Sequence, residues 1–214
     1  MCADFINLKR ELDLFSAEKL DYLHIDIMDG HYVPNFTLGP DFCKRLSEYS
    51  DIPMDIHLMI ENVDSYIPSF AAFKNAAVSF HPEAVYHPFR SIDLIRKLNA
   101  RAGIAIDPAT PLESVKHLLP EVDLLCVMTV NPGYSGQKLI PSMLQKLREF
   151  ATYIQDKGYK IELEVDGNVS WRHIPEMVSS GADVLVLGTS SLYDGRDGLK
   201  ENLGKLRSLL GHAG

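Results

Sequence analysis

Apolar and polar positions in this chain fall into two alternating patterns. Short runs with a period of two are separated by longer stretches in which apolar residues recur at helical spacing. The period-two or wholly apolar runs predict strands at 22–28, 53–59, 77–81, 102–107, 123–130, 160–166 and 184–188. The stretches between them predict helices. Asp4 is placed to cap the first, with Phe5, Leu8, Leu12 and Phe15 on one face. A second starts at Gly39-Pro40 and a weaker one lies around 62–74. Others fit 88–99, 141–157, 170–180 and 198–209. Thr110-Pro111-Leu112-Glu113 reads as a capping box opening a further helix, with Pro111 at the first helical position. Strands regularly separated by helices require parallel crossovers, so the fold class expected is α/β, a (β/α)8 barrel. Eight helices against seven strands, with a helix first, suggest that the first strand is lacking in this chain.

Strand parity also sorts the polar residues. His24, Asp26 and Met28 share one face of their strand, opposite Leu23, Ile25 and Ile27. Asp55, His57 and Met59 repeat the arrangement, as do Glu162, Glu164 and Asp166. An antiparallel sheet with one wet face would also alternate, but it would need no intervening helices. In a closed barrel the aliphatic set packs beneath the helices and the polar set points inward. Residues at the C-terminal strand ends then reach the mouth, where barrel enzymes place their sites. Glu162 and Glu164 lie deeper on the inward row and read as partners in a buried polar network.

The 214 residues are 46% hydrophobic and 23% charged, which suits one domain with a sizeable core, 1–214. The formal charge of -8 argues against nucleic acid or an anionic membrane as partner, and no apolar run is long enough to span a bilayer. Met1 to Arg10 shows no secretory pattern. Cys2, Cys43 and Cys126 are odd in number and widely spaced, against a disulfide framework, so a cytoplasmic setting is expected.

His24, Asp26, His57 and Asp166 thus fall at the upper ends of three strands on the presumed inner face. Mixed imidazole and carboxylate ligation suits one divalent zinc, iron, manganese or cobalt ion. A second signature lies in the loops after strands: Asn131-Pro132-Gly133-Tyr134-Ser135-Gly136-Gln137, Asp166-Gly167-Asn168 and Gly188-Thr189-Ser190-Ser191. Singly these are ordinary turns. Clustered at one barrel mouth they suit a phosphate, held by backbone N–H groups without cationic side chains.

The runs HIDIMDGHYVPN (24–35), DIHLM (55–59), MTVNPGYSGQ (128–137) and EVDGNVS (164–170) resemble the ribulose-phosphate 3-epimerase family along almost the whole chain. The resemblance implies that His24, Asp26, His57 and Asp166 ligate the metal and that Asp26 and Asp166 also serve as acid and base. It implies that Met28, Met59 and Met128 line the substrate pocket beside His57. Gly133, Ser135, Gly136, Gln137, Gly167, Asn168, Gly188, Thr189 and Ser190 complete the expected substrate contacts. The phosphate would rest on the amides of Gly167, Asn168, Thr189 and Ser190, with 133–137 as a lid.

Inverting a carbon next to a ketone requires a proton to leave one face and another to arrive on the opposite face, so two carboxylates can exchange the roles of base and acid. The expected substrate is a small ketose phosphate, ribulose 5-phosphate converted to xylulose 5-phosphate. Asp166-Gly167-Asn168 departs from the family's usual Asp-Gly-Gly. With His81-Pro82-Glu83 and Gly188-Thr189-Ser190, it is similar instead to the allulose 6-phosphate 3-epimerases. Barrel decarboxylases of keto-sugar phosphates carry Asp-x-Lys-x-x-Asp, and Met28 replaces that lysine here. A non-catalytic sugar-phosphate binder would not need the paired carboxylates. Family members resemble Pro-Ser-x-Leu-Ser-Ala-Asp-Phe at their start, so the natural chain is expected to extend upstream of Met1 by roughly 5–8 residues, a strand's length. Otherwise a partner chain or the 203–214 tail would fill the gap. Open edges on 22–28 and 184–188 invite association, and a homo-oligomer is expected.

Overall fold

The computed structural model describes residues 2–211. Seven parallel strands form one sheet in chain order: β1 (Leu23–Met28), β2 (Met54–Met59), β3 (Ala77–Phe80), β4 (Arg101–Ile106), β5 (Leu124–Met128), β6 (Glu162–Asp166) and β7 (Val184–Leu185). Eight helices accompany them: α1 (Leu8–Ala17), α2 (Pro40–Tyr49), α3 (Val63–Phe70), α4 (Pro88–Lys97), α5 (Leu112–Val115), α6 (Ser142–Lys157), α7 (Ile174–Ser179) and α8 (Leu199–Gly211). The sheet curls into a barrel open between β1 and β7, as expected of a (β/α)8 barrel short of one strand. Residues 212–214 of the tail that was to fill the gap lie outside the described residues.

The two faces divide as parity requires. Ile25, Ile27, Ile56, Leu58, Leu163 and Val165 pack in the main core under the helices. Inside, Asp55, His57, Ser79, His81 and Glu164 are buried polar groups. Register carries the inward row across the sheet, pairing Asp26 with His57, His57 with Ser79 and Met128 with Asp166. Glu162 departs from the expected buried network. It sits half-exposed at the lower rim, where its Oε2 accepts from Arg101 at 2.8 Å.

Three local expectations are corrected. α1 begins at Leu8 and not at Asp4, whose carboxylate instead accepts from Ile6 N–H and the Asn7 side chain in a preceding turn. Thr110 does not cap α5: its hydroxyl is drawn to the Glu83 carboxylate, and the helix closes after a single turn. β7 is shorter than 184–188: only Val184 and Leu185 pair with β6, and Val186 N–H adds one further bond to Val165 O at 3.0 Å.

Candidate active site

The barrel mouth brings together the four residues that parity had singled out. One ligand atom from each of His24, Asp26, His57 and Asp166 lies within 4.8 Å of the others. His24 Nε2 stands 3.3 Å from Asp26 Oδ1. His57 is fully buried, and its Nδ1 lies 3.6 Å from Asp26 Oδ1 and 3.9 Å from Asp166 Oδ2. Those separations exceed hydrogen-bonding distance, and this buried nitrogen has no hydrogen-bond partner among the described residues. A buried imidazole nitrogen facing two carboxylates, with a second histidine beside them, is a donor set that suits a divalent metal.

The layer below orients the ligands. Asp55 Oδ2 lies 2.5 Å from His24 Nδ1, which fixes the ring and leaves Nε2 facing Asp26. Burial opposes charge on His24, but Asp55 and Asp26 outweigh it and hold the ring well above the ordinary histidine range. Glu164, beside them, is pushed well above the carboxylate range by burial and by the Asp55 charge.

Burial favours the neutral form of both mouth aspartates, yet they move in opposite directions. The His24 hydrogen bond and the nearby His24 and His57 imidazoles outweigh burial at Asp26 and drive its carboxyl far below the usual range. At Asp166 burial and the charge of Asp26 together raise the carboxyl. Two carboxyls pushed apart in this way can act as base and acid in one pocket.

Met28, Met59 and Val33 form an apolar wall with Tyr32 packed against it, and Met128 clusters with Ala105 and Cys126. A cavity of about 760 Å³ runs from this mouth to the open seam, and no lysine or arginine lines it. Of the expected phosphate donors, Gly167 N–H interacts with Asp166 and Thr189 N–H with the Cys2 thiol. The N–H groups of Asn168 and Ser190 have no acceptor among the described residues. The 133–137 loop is already tied down: Asn35 Nδ2 donates to Gly133 O at 2.8 Å, Tyr134 OH to Pro34 O at 2.8 Å and Asn168 Nδ2 to Gln137 O at 2.7 Å. Ser135, Gly136 and Gln137 line the cavity, as do Gly188, Thr189 and Ser190.

Sequence reasoning assigned no role to His81, Asp107 or Tyr32. His81 Nε2 lies 2.8 Å from His57 Nε2, and its Nδ1 faces Asp107 Oδ1 at 3.3 Å. Tyr32 OH donates to Asp107 Oδ2 at 2.9 Å. Parity could have found two of these, because His81 and Asp107 each continue an inward row one step past β3 and β4.

The model of the ribulose-phosphate 3 epimerase family matches residues 1–192. A ribulose-phosphate 3-epimerase of Escherichia coli (strain K12) is 41% identical over 211 residues, covering 98% of this chain and 93% of its own. One from Bacillus subtilis (strain 168) is 40% identical over 208 residues, covering 97% and 95%. Among solved structures, a mutant tryptophan synthase alpha-subunit from Pyrococcus furiosus superposes with a TM-score of 0.65 at 16% identity, covering 96% of this chain and 93% of that one. That likeness supports the barrel fold alone. No helix among the described residues is long and apolar enough to cross a membrane.

Proposed function

The chain belongs to the ribulose-phosphate 3-epimerase family, and from that membership we propose that it interconverts ribulose 5-phosphate and xylulose 5-phosphate with Asp26 and Asp166 as the two bases. The observation that carries this reading is the pair of aspartates, Asp26 and Asp166, that converge on His57 Nδ1 at 3.6 and 3.9 Å beside a wall of methionines. His24, Asp26, His57 and Asp166 would hold a divalent ion, which when bound supplies Lewis-acid stabilisation of negative charge on the ketone oxygen. In one direction the Asp26 carboxylate removes the C3 proton, while Asp166 in its acid form delivers a proton to the opposite face. The reverse direction exchanges their roles. Met28, Met59 and Met128 exclude water from the carbon being inverted. Asn168 and Ser190 N–H groups would hold the phosphate, and the 133–137 lid would cover the sugar.

The six-carbon alternative, allulose 6-phosphate, is favoured by one observation. Asn168 stands at φ +44° where the family's second glycine is usual, and its side chain is spent on Gln137 O. Assaying ribulose 5-phosphate and allulose 6-phosphate side by side decides between them. A clear preference in kcat/KM for the pentulose is expected, and comparable efficiency on both would defeat the narrow assignment.

A further inference from the structure

The imidazoles of His57 and His81 face each other nitrogen to nitrogen. Their Nε2 atoms are 2.8 Å apart and both rings are fully buried. Two nitrogens at that distance share one hydrogen, so one must donate and the other accept. The choice fixes the far nitrogen of each neutral ring. If His57 Nε2 carries the hydrogen, His57 Nδ1 presents a lone pair towards Asp26 and Asp166, and His81 Nδ1 carries a hydrogen towards Asp107 Oδ1. If His81 Nε2 carries it, His57 Nδ1 is protonated and cannot ligate.

We infer that His81 and Asp107 are positioning residues that fix the tautomer of His57, aiming the Nδ1 lone pair of His57 at the metal position. This rests on the proposed role of His57 as a ligand. The chain of contacts has one consistent polarity: His57 Nε2–H to His81 Nε2, then His81 Nδ1–H towards the Asp107 carboxylate, at 3.3 Å and off the ideal line. Asp107 is held from its other side. Its Oδ2 accepts from Tyr32 OH, and Lys146 Nζ donates to the Asp107 and Pro108 carbonyls at 3.0 and 3.1 Å. The Tyr32 ring lies over His81 with centroids 4.8 Å apart, so the imidazole is also pinned sterically.

The same inventory of hydrogens decides against a second reading. His81, Glu83 and Asp107 could themselves hold a metal by proximity. Ligation through His81 Nδ1 would put the hydrogen on His81 Nε2, make it the donor to His57 and remove the His57 lone pair from the mouth. Glu83 is moreover already engaged by the Thr110 hydroxyl. The two sites compete for one hydrogen, and only the mouth combines two histidines with two carboxylates.

The test uses Asp107→Ala, Asp107→Asn and His81→Leu in the full chain, with Zn²⁺ alone as the probe, measured by competition with a chromophoric chelator. Alanine at 107 removes the acceptor and should weaken Zn²⁺ binding about 10–100-fold, the range seen for partners of metal-bound histidines. Asparagine keeps a carbonyl oxygen facing His81 Nδ1 and should retain most of the affinity. Long-range ¹H–¹⁵N spectra of the metal-free protein should show His57 protonated at Nε2 in the wild type and in Asp107→Asn, and a mixture of tautomers in Asp107→Ala. Should His81→Leu not fold, the Asp107 pair still answers, because that side chain is partly exposed. Wild-type Zn²⁺ affinity in Asp107→Ala would overturn the inference. So would equal losses in both Asp107 variants, or His57 protonated at Nδ1 in the wild type. None of these readouts uses a sugar. Failure of the epimerase reading would instead appear as no C3 proton exchange from ribulose 5-phosphate by the wild type.

Discussion

Asp26 Oδ1 and Asp166 Oδ2 approach the same nitrogen, His57 Nδ1, from strands at nearly opposite ends of the sheet, at 3.6 and 3.9 Å. The open barrel makes this possible, because curling brings β1 and β6 to face each other across one mouth. The two-base reading turns that geometry into an asymmetric prediction. Asp166→Asn should lower interconversion about 10²- to 10⁴-fold in both directions, the range for a positioned acid or base. The remaining base can still remove a proton from the epimer that faces it. Incorporation of solvent deuterium at C3 should therefore survive in one epimer and vanish in the other, and in Asp26→Asn the surviving epimer should switch. Equal incorporation into both epimers by either variant would point to a single mobile base.

Parity made the His24, Asp26, His57 and Asp166 constellation legible, because an inward row with period two needs only the strand boundaries to be roughly right. Paired or stacked partners were less visible. Asp55 shares a row with His57, yet nothing in the sequence says that its carboxylate meets His24 on the neighbouring strand; that depends on the β1–β2 register. Thr110 shows the reverse error. Its local pattern suited a capping box, but Glu83, distant in sequence, competed successfully for the hydroxyl. Local capping rules describe what a residue offers and not what the fold places beside it.

Asp55 should then be a positioning residue for His24. Asp55→Leu removes the acceptor at His24 Nδ1 and should weaken Zn²⁺ binding about 10–100-fold. Titration with the ion alone, beside circular dichroism to confirm folding, checks this. Asp55→Asn should fall between the two, since it keeps a carbonyl acceptor but loses the charge that holds the ring.

Gly167 occupies φ +103°, and a Cβ there would lie 2.6 Å from Val130 Cγ2 and 3.0 Å from Val130 N. Neither neighbour is the free end of a long side chain, so the backbone must move. Gly167→Ala should shift the loop carrying the Asn168 N–H and raise KM by about tenfold or more, equivalent to about 1.4 kcal/mol of binding. Steady-state kinetics on ribulose 5-phosphate gives the split. An unchanged KM would remove this loop from phosphate binding.

Asp29 pins two mouth loops together. Its Oδ1 accepts from His31 N–H at 2.8 Å and Tyr32 N–H at 3.1 Å, and its Oδ2 accepts from Glu61 N–H at 2.8 Å. Burial favours the neutral acid, but these donors outweigh it and lower the carboxyl from its ordinary value. A carboxylate depressed in the folded state contributes stability that is present above its unfolded value, about 3.9, and is lost as pH falls through the lower folded value. Asp29→Ala should therefore be destabilised by about 1–2 kcal/mol near pH 7, a range kept low because the side chain is partly exposed and screened. The gap between wild type and variant should hold well above the unfolded value and narrow as the pH is lowered through and below it. Urea unfolding of both proteins across that interval measures it. A gap that widened on acidification would mean that Asp29 is anchored as a neutral acid and not as a charged acceptor.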